Sequence, residues 1–210
     1  MDTTDRMYRD LQQHLDRQAV GFPATKSGAE IRILKRLFGP EEARLALHLT
    51  YKPAPLERIR ELAAGSGFSP DRVESMLDNM ARNGAIDYAD RGGTRHYWAI
   101  PFVVGMFEYQ LNRLTPEFLG DIGEYMSDKA FWLSFLSTER PQMRTIPVGK
   151  SITAEHHVAT YDHVVEIIKR AEGPFAIIEC ICRKSEAMAG HLCTKTSRKE
   201  TCMPLDAMAK

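Results

Sequence analysis

The sequence predicts an α+β protein with helices first, one β-hairpin, a helical connector and a small α/β unit at its C-terminal end. Three observations predict it. Apolar residues recur at helical spacing as far as Met80, and the pattern then switches to alternation about Gly92-Gly93. All four cysteines, Cys180, Cys182, Cys193 and Cys202, fall within the last 31 residues.

The bulk numbers set the frame. A chain of 210 residues can hold one large domain or two small ones. Its 43% hydrophobic and 27% charged residues are ordinary for a soluble globular protein. Basic and acidic residues balance at 28 each, so the whole chain carries no electrostatic footprint for nucleic acid. No run approaches the roughly 18 consecutive apolar residues of a membrane span. The opening MDTTDRMYRDLQQHLDRQAV has no apolar stretch of signal-peptide type. A cytoplasmic location is expected, where thiols stay reduced and clustered cysteines read as metal-binding or catalytic before they read as disulfides.

Each element follows from its own residues. Residues 1–27 form an N-terminal helical segment with Met7, Leu11 and Leu15 at helical spacing, broken by Gly21-Phe22-Pro23. Ile31, Leu34, Leu37 and Phe38 lie on one face of a short helix that Gly39-Pro40 ends. Pro40 then suits the first turn of a helix over PEEARLALHL, where Glu41 and Glu42 complement the positive end of the helix dipole. A proline-broken connector, Tyr51 to Pro55, leads to LERIRELAAGSG, a helix closed by glycine. Ser69 is an N-cap with Pro70 behind it. The helix it starts carries Val73, Met76, Leu77 and Met80 as an apolar stripe and ends at Gly84. AIDYADRGGTRHYWAI then alternates as a hairpin. Helix, helix, turn, helix and hairpin is the order of a winged-helix domain, expected over residues 28–100.

Residues 101–142 are rich in aromatics at helical spacing, among them Phe102, Phe107, Phe118, Tyr125, Phe131, Trp132 and Phe135. They read as a helical connector packing on the winged-helix unit, and a homodimer face is the alternative. Residues 143–210 read as a small α/β unit. Its expected parts are a strand over 144–148, a helix from near Asp162 with Val164, Val165, Ile167 and Ile168, and a second strand, FAIIECIC, ending in the cysteines.

The cysteines carry the chemistry. On a strand, Cys180 and Cys182 would point to the same face and could meet one ion or cluster. Ten residues then separate Cys182 from Cys193 and eight separate Cys193 from Cys202, enough to fold back. Thiolates select zinc, copper(I) and iron–sulfur clusters over hard cations. The C-x-C-x10-C-x8-C pattern is neither the paired knuckle of structural zinc nor the ferredoxin C-x2-C-x2-C-x3-C run. Arg183, Lys184, Lys195, Arg198 and Lys199 crowd the intervals, against Glu186 and Glu200. Those cations would offset the negative charge of a four-thiolate cluster, which favours a cluster slightly over zinc, with metal-free cysteines, buried at a strand end or forming a redox pair, as a further alternative. Arg183, beside Cys182, is expected to stabilise the reduced state. His191 could substitute as a ligand, although a histidine in a basic loop is more often a surface side chain. His156, His157 and His163 read as structural or surface residues.

CICRKSEAMAGHLC, the ETC triplet at Cys202, FGPEEARLALHL, PFVVGMFEYQ and PQMRTIPVGKSI together give a family resemblance. The chain resembles ferredoxin-type 4Fe-4S proteins of anaerobes that begin with a winged-helix-like domain. The resemblance implies electron transfer with a redox partner protein. Members of that family continue into further cysteine-rich segments, whereas this sequence ends eight residues after Cys202, so a short or truncated member is expected.

No phosphate loop, G-x-G-x-x-G, G-x-S-x-G or H-E-x-x-H pattern is present, so the sequence offers an electron carrier or sensor before a catalyst. A winged helix that binds DNA, with a structural zinc or cysteine redox site, is the competing reading. From 55 to 100, however, acids outnumber bases by one, which is poor charge for phosphate neutralisation. Arg91, Arg95 and His96 on the hairpin are the residual case for it.

Overall fold

The structure is a computed structural model that describes residues 3–139, 168–171, 173–194 and 196–205. It is mixed α+β, and the chain divides into two units, Met1–Arg140 and Pro141–Lys210.

The first unit opens with α1 (Thr3–Asp16), α2 (Ala29–Leu37) and α3 (Pro40–Ala46). Leu11 and Leu15 of α1 are buried as their spacing predicts, but Tyr8 rather than Met7 completes the inner face. The Tyr8 hydroxyl explains the shift, because it donates to the Phe38 carbonyl at 2.7 Å and ties α1 to the end of α2. On α2 the buried stripe is Ile33, Leu34 and Leu37, with Phe38 beyond its end, while Ile31 stays half-exposed. The fully buried Glu30 carboxylate receives Arg9 of α1 at 3.0 Å and the Thr25 hydroxyl, so this buried charge is paired. At the start of α3 the Gly39 N–H donates to the Glu42 carboxylate at 2.7 Å. That helix ends at Ala46, three residues short of the expected Leu49, although Leu49 is itself buried.

The proline connector does more than link. Ala54–Pro55 forms a two-residue strand, β1, followed at once by α4 (Leu56–Ala63). The next helix, α5 (Pro70–Arg82), starts where Ser69 accepts the Arg72 N–H at 3.4 Å and buries Val73, Met76, Leu77 and Met80. The hairpin is β2 (Ile86–Arg91) and β3 (Thr94–Ala99), antiparallel with Tyr88 opposite Tyr97. Gly92 (φ +58°) and Gly93 (φ +79°) supply the two left-handed positions that a two-residue turn of this hand demands. β1 adds to the other edge of β3, giving a three-stranded sheet in the order β1-β3-β2.

The aromatic segment then packs inward. Pro116–Ser127 is α6, capped by Thr115, and Lys129–Leu136 is α7, where Asp128 accepts the Ala130 N–H at 2.9 Å. Tyr125 of α6 sits among Phe22, Phe102 and Phe131, with ring centroids 4.9, 5.4 and 5.2 Å away. Arg32 of α2 holds Asp121 of α6 at 2.5 Å and also reaches Glu124. Burying large aromatics gives this stretch a structural role in the first unit. Trp132, Leu133 and Leu136 of α7 are left on the outside.

The second unit is described only in part. The strand expected over 144–148 and the start of the helix expected from Asp162, with Val164, Val165 and Ile167, lie outside the described residues, as do His156, His157, His163 and Lys195. The expectation of a strand through FAIIECIC is corrected. β4 covers only Ile178–Glu179, and the chain turns into α8 (Ile181–Met188) at the first cysteine. The reason is local: Arg183, Lys184, Glu186, Ala187 and Met188 are strong helix formers, and Gly190 at φ +88° ends the run. β5 (Glu200–Cys202) pairs antiparallel with β4, and Phe175 bridges to Leu205.

Candidate metal centre

The cysteine region is built on the start of one helix and the strand beside it. Cys180 occupies the N-cap of α8 and Cys182 lies in its first turn, so their nearness comes from a helix end and not from strand alternation. The Cys180 N–H donates to the Lys199 carbonyl at 2.9 Å, and the Lys184 N–H returns to the Cys180 carbonyl at 3.0 Å. Ile178 stands opposite Cys202 in the β4–β5 register, with a register shift between Ile178 and Glu179. These bonds hold the β5 strand and the helix start side by side.

The Cys180 sulfur is the centre of a hydrogen-bonded group. Partial burial alone pushes its thiol up. The Arg183 N–H, the Cys202 thiol, the Cys182 N–H and the Thr201 hydroxyl together outweigh that effect and hold it below the ordinary thiol value. Two of these donors are backbone amides at the positive end of a helix, where thiolates are favoured. Cys180 and Cys202 are half-exposed, while Cys182 and Cys193 face solvent.

The other predicted residues fall into place around this group. Cys193 lies in the chain beyond Gly190, after α8 has ended. Among the described residues, no three histidine, cysteine or carboxylate side chains stand together as a set that could hold a metal ion. The Cys180 sulfur thus meets the Cys202 thiol and the Cys182 amide. His191 turns to Glu186, with Nδ1 3.1 Å from Oε2. Arg183 extends across the loop and donates to the Arg198 carbonyl at 3.4 Å, and Lys184 lies 3.7 Å from the Glu179 carboxylate. Three participants were not legible in the sequence. Thr201 could have been suspected from the ETC triplet, but the amides of Cys182 and Arg183 become visible only once the helix start is known.

The described part of the second unit has little else to hold it. Among its described residues the one buried apolar side chain is Ile181, whereas Phe175, Ile177, Ile178, Met188, Leu192 and Met203 are all exposed. Searches among protein families, curated proteins and solved structures find no match to the chain.

Proposed function

We propose that Cys180, Cys182, Cys193 and Cys202 ligate one iron–sulfur cluster, of the 4Fe-4S type, and that the protein acts in electron transfer or redox sensing. The observation that carries this reading is the surroundings of the Cys180 sulfur, which meets the Cys202 thiol and two helix-start amides. Hydrogen bonds from amides to ligand sulfur are one of the means by which proteins tune a cluster. Cys182 shares the same helix start, and Cys193 follows α8 on the way to β5. Ligand binding of that kind supplies folding free energy, which a unit with one buried aliphatic among its described residues lacks. When bound, the cluster would take up and release single electrons. Arg183, Lys184, Arg198 and Lys199 favour it over zinc, because they offset its negative charge. Protein purified and reconstituted without oxygen is expected to be brown, with iron and acid-labile sulfide in equal amounts. Zinc alone after the same treatment overturns the assignment.

The succession of α4, turn, α5 and hairpin supports a second element of the reading, that residues 28–100 are a winged-helix domain. Its charge favours docking a protein partner over DNA. Arg72 is held by Glu41, Arg60 by Glu57 and Glu74, and Arg95 by Asp78 and Asp90. Arginines already held by carboxylates are poor at displacing phosphate counterions. Retention of duplex DNA at about 50 mM salt that collapses by about 200 mM would move the reading to a DNA-binding regulator with a structural zinc or cysteine redox site.

A further inference from the structure

We propose that the outer face of α7 pairs with the same face of a second copy of the chain, the two helices running antiparallel. Trp132, Leu133 and Leu136 form the apolar part of that face and are 45%, 71% and 68% exposed. They recur at helical spacing with Lys129, so all four share one side of the helix. Phe131 and Phe135 take the other side and are buried. With Ser137, the four line a groove of about 410 Å³. Trp132 is already fixed in place. Its ring meets Phe131 at 5.2 Å and Phe135 at 6.1 Å, both edge-on, so it has little rotamer freedom left to lose on docking.

The charges choose the occupant and its direction. Lys129 stands in the first turn of α7, where the helix dipole disfavours a cation, and no acid shares that turn. Asp128, just before it, is turned to the Ala130 N–H at 2.9 Å. Glu139 is exposed past the last turn, where the dipole disfavours an anion. The Ser137 N–H donates to the Leu133 carbonyl at 3.1 Å and the Thr138 hydroxyl to the Phe135 carbonyl at 3.5 Å. These bonds keep the chain turned against the helix end as far as Glu139. Each charge is thus misplaced in a lone copy. A two-fold axis at the level of residue 134 corrects both, because Lys129 and Glu139 lie evenly about it, as do Trp132 and Leu136. Lys129 then stands by Glu139 of the second copy, and Trp132 by Leu136 of the second copy. A parallel pair would set lysine against lysine and glutamate against glutamate. Three apolar side chains fall short of the roughly 800 Å² per partner of a standard interface, so a weak dimer is expected, with a dissociation constant between about 10 µM and about 1 mM. The pairing uses no cysteine and does not depend on the cluster reading.

The test is sedimentation equilibrium of the full-length chain, kept reduced, from about 5 µM to about 1 mM. A reversible monomer–dimer equilibrium is expected. Leu136→Glu should raise the dissociation constant at least about tenfold, since it buries a charge in the apolar face. Lys129→Glu and Glu139→Lys should each weaken pairing about fivefold or more, by setting like charges together. The double exchange should return the constant to within about threefold of the parent's. Lys129→Glu suits the helix dipole, so its loss of pairing is not a loss of folding, and circular dichroism of every variant should match the parent's. A monomer at all concentrations, or a dimer that Leu136→Glu leaves intact, overturns the proposal. A double exchange that fails to restore pairing overturns the antiparallel arrangement.

Discussion

Tyr125 shows how much a single buried atom can be asked to do. Its ring is fully enclosed by aromatics, yet its hydroxyl has no hydrogen-bond partner among the described residues. Burial first, then the Asp16, Glu30 and Asp128 carboxylates, push the phenol well above its ordinary value. A phenol raised on folding contributes stability that is fully present below its unfolded pKa of about 10 and is lost as pH rises further. Tyr125→Phe is therefore expected to melt at the same temperature or slightly higher at neutral pH, with a gain of up to about 1 kcal/mol. It should also lose less stability than the parent between about pH 9 and about pH 11. Thermal melts across that range check both. Arg183 is the corresponding test at the proposed metal centre. Its amide stays in an alanine variant while its charge and its bond to the Arg198 carbonyl go. With the proposed cluster bound, Arg183→Ala is expected to keep it and to lower its reduction potential on the order of tens of millivolts, read by voltammetry. Loss of cluster instead would assign the guanidinium to loop fixing.

At the scale of elements, glycines that look alike in the sequence carry different loads. Gly84 and Gly92 both sit at positive φ, +68° and +58°. A Cβ at Gly92 meets nothing, while one at Gly84 overlaps the Tyr109 side chain and crowds the Gln110 amide. That corner is where α5 ends, and Gln110 and Arg113 clamp it through bonds of 2.8 and 2.9 Å to the Asn83 carbonyl and side chain. Gly92→Ala should cost about 1 kcal/mol, the left-handed penalty alone. Gly84→Ala should cost roughly 2–5 kcal/mol, since overpacking adds to the same penalty. Denaturant titration of the two variants separates them. The same contrast explains what could be read in advance. Ser69, Pro70 and the Val73–Met80 stripe announced α5, because capping and periodicity are local. The conformation of Cys180 to Cys182 is not legible in the same way, because the β-branched run Ile177-Ile178 precedes it and the helix formers that decide it come after it. β1 and β5, at two and three residues, have too few positions for any period, and their pairing depends on distant partners. The candidate site shared that fate, since cysteine identity was legible and the contact of Cys180 with Cys202 was not.

For the whole molecule, the two proposed roles differ in what metal binding does to order. An electron carrier cycles with residues 183–202 in one arrangement, and its first unit docks a partner identically in both states. A sensor loosens that stretch when metal leaves, and the first unit reports the change. Pull-down of a redox partner with loaded and metal-free protein is expected to differ severalfold for a sensor, and equal recovery assigns the carrier role. The exposure of Phe175, Ile177, Ile178, Met188, Leu192 and Met203 bears on how such loosening would register. Heat-capacity change and denaturant sensitivity both scale with the surface newly uncovered on unfolding. These side chains already meet water in the ordered state, so melting the described part of the second unit uncovers little more. Its order would then answer weakly to temperature and urea and strongly to the concentration of whatever binds its sulfurs. A calorimeter would record little from that described part, while metal at the proposed centre would set its order.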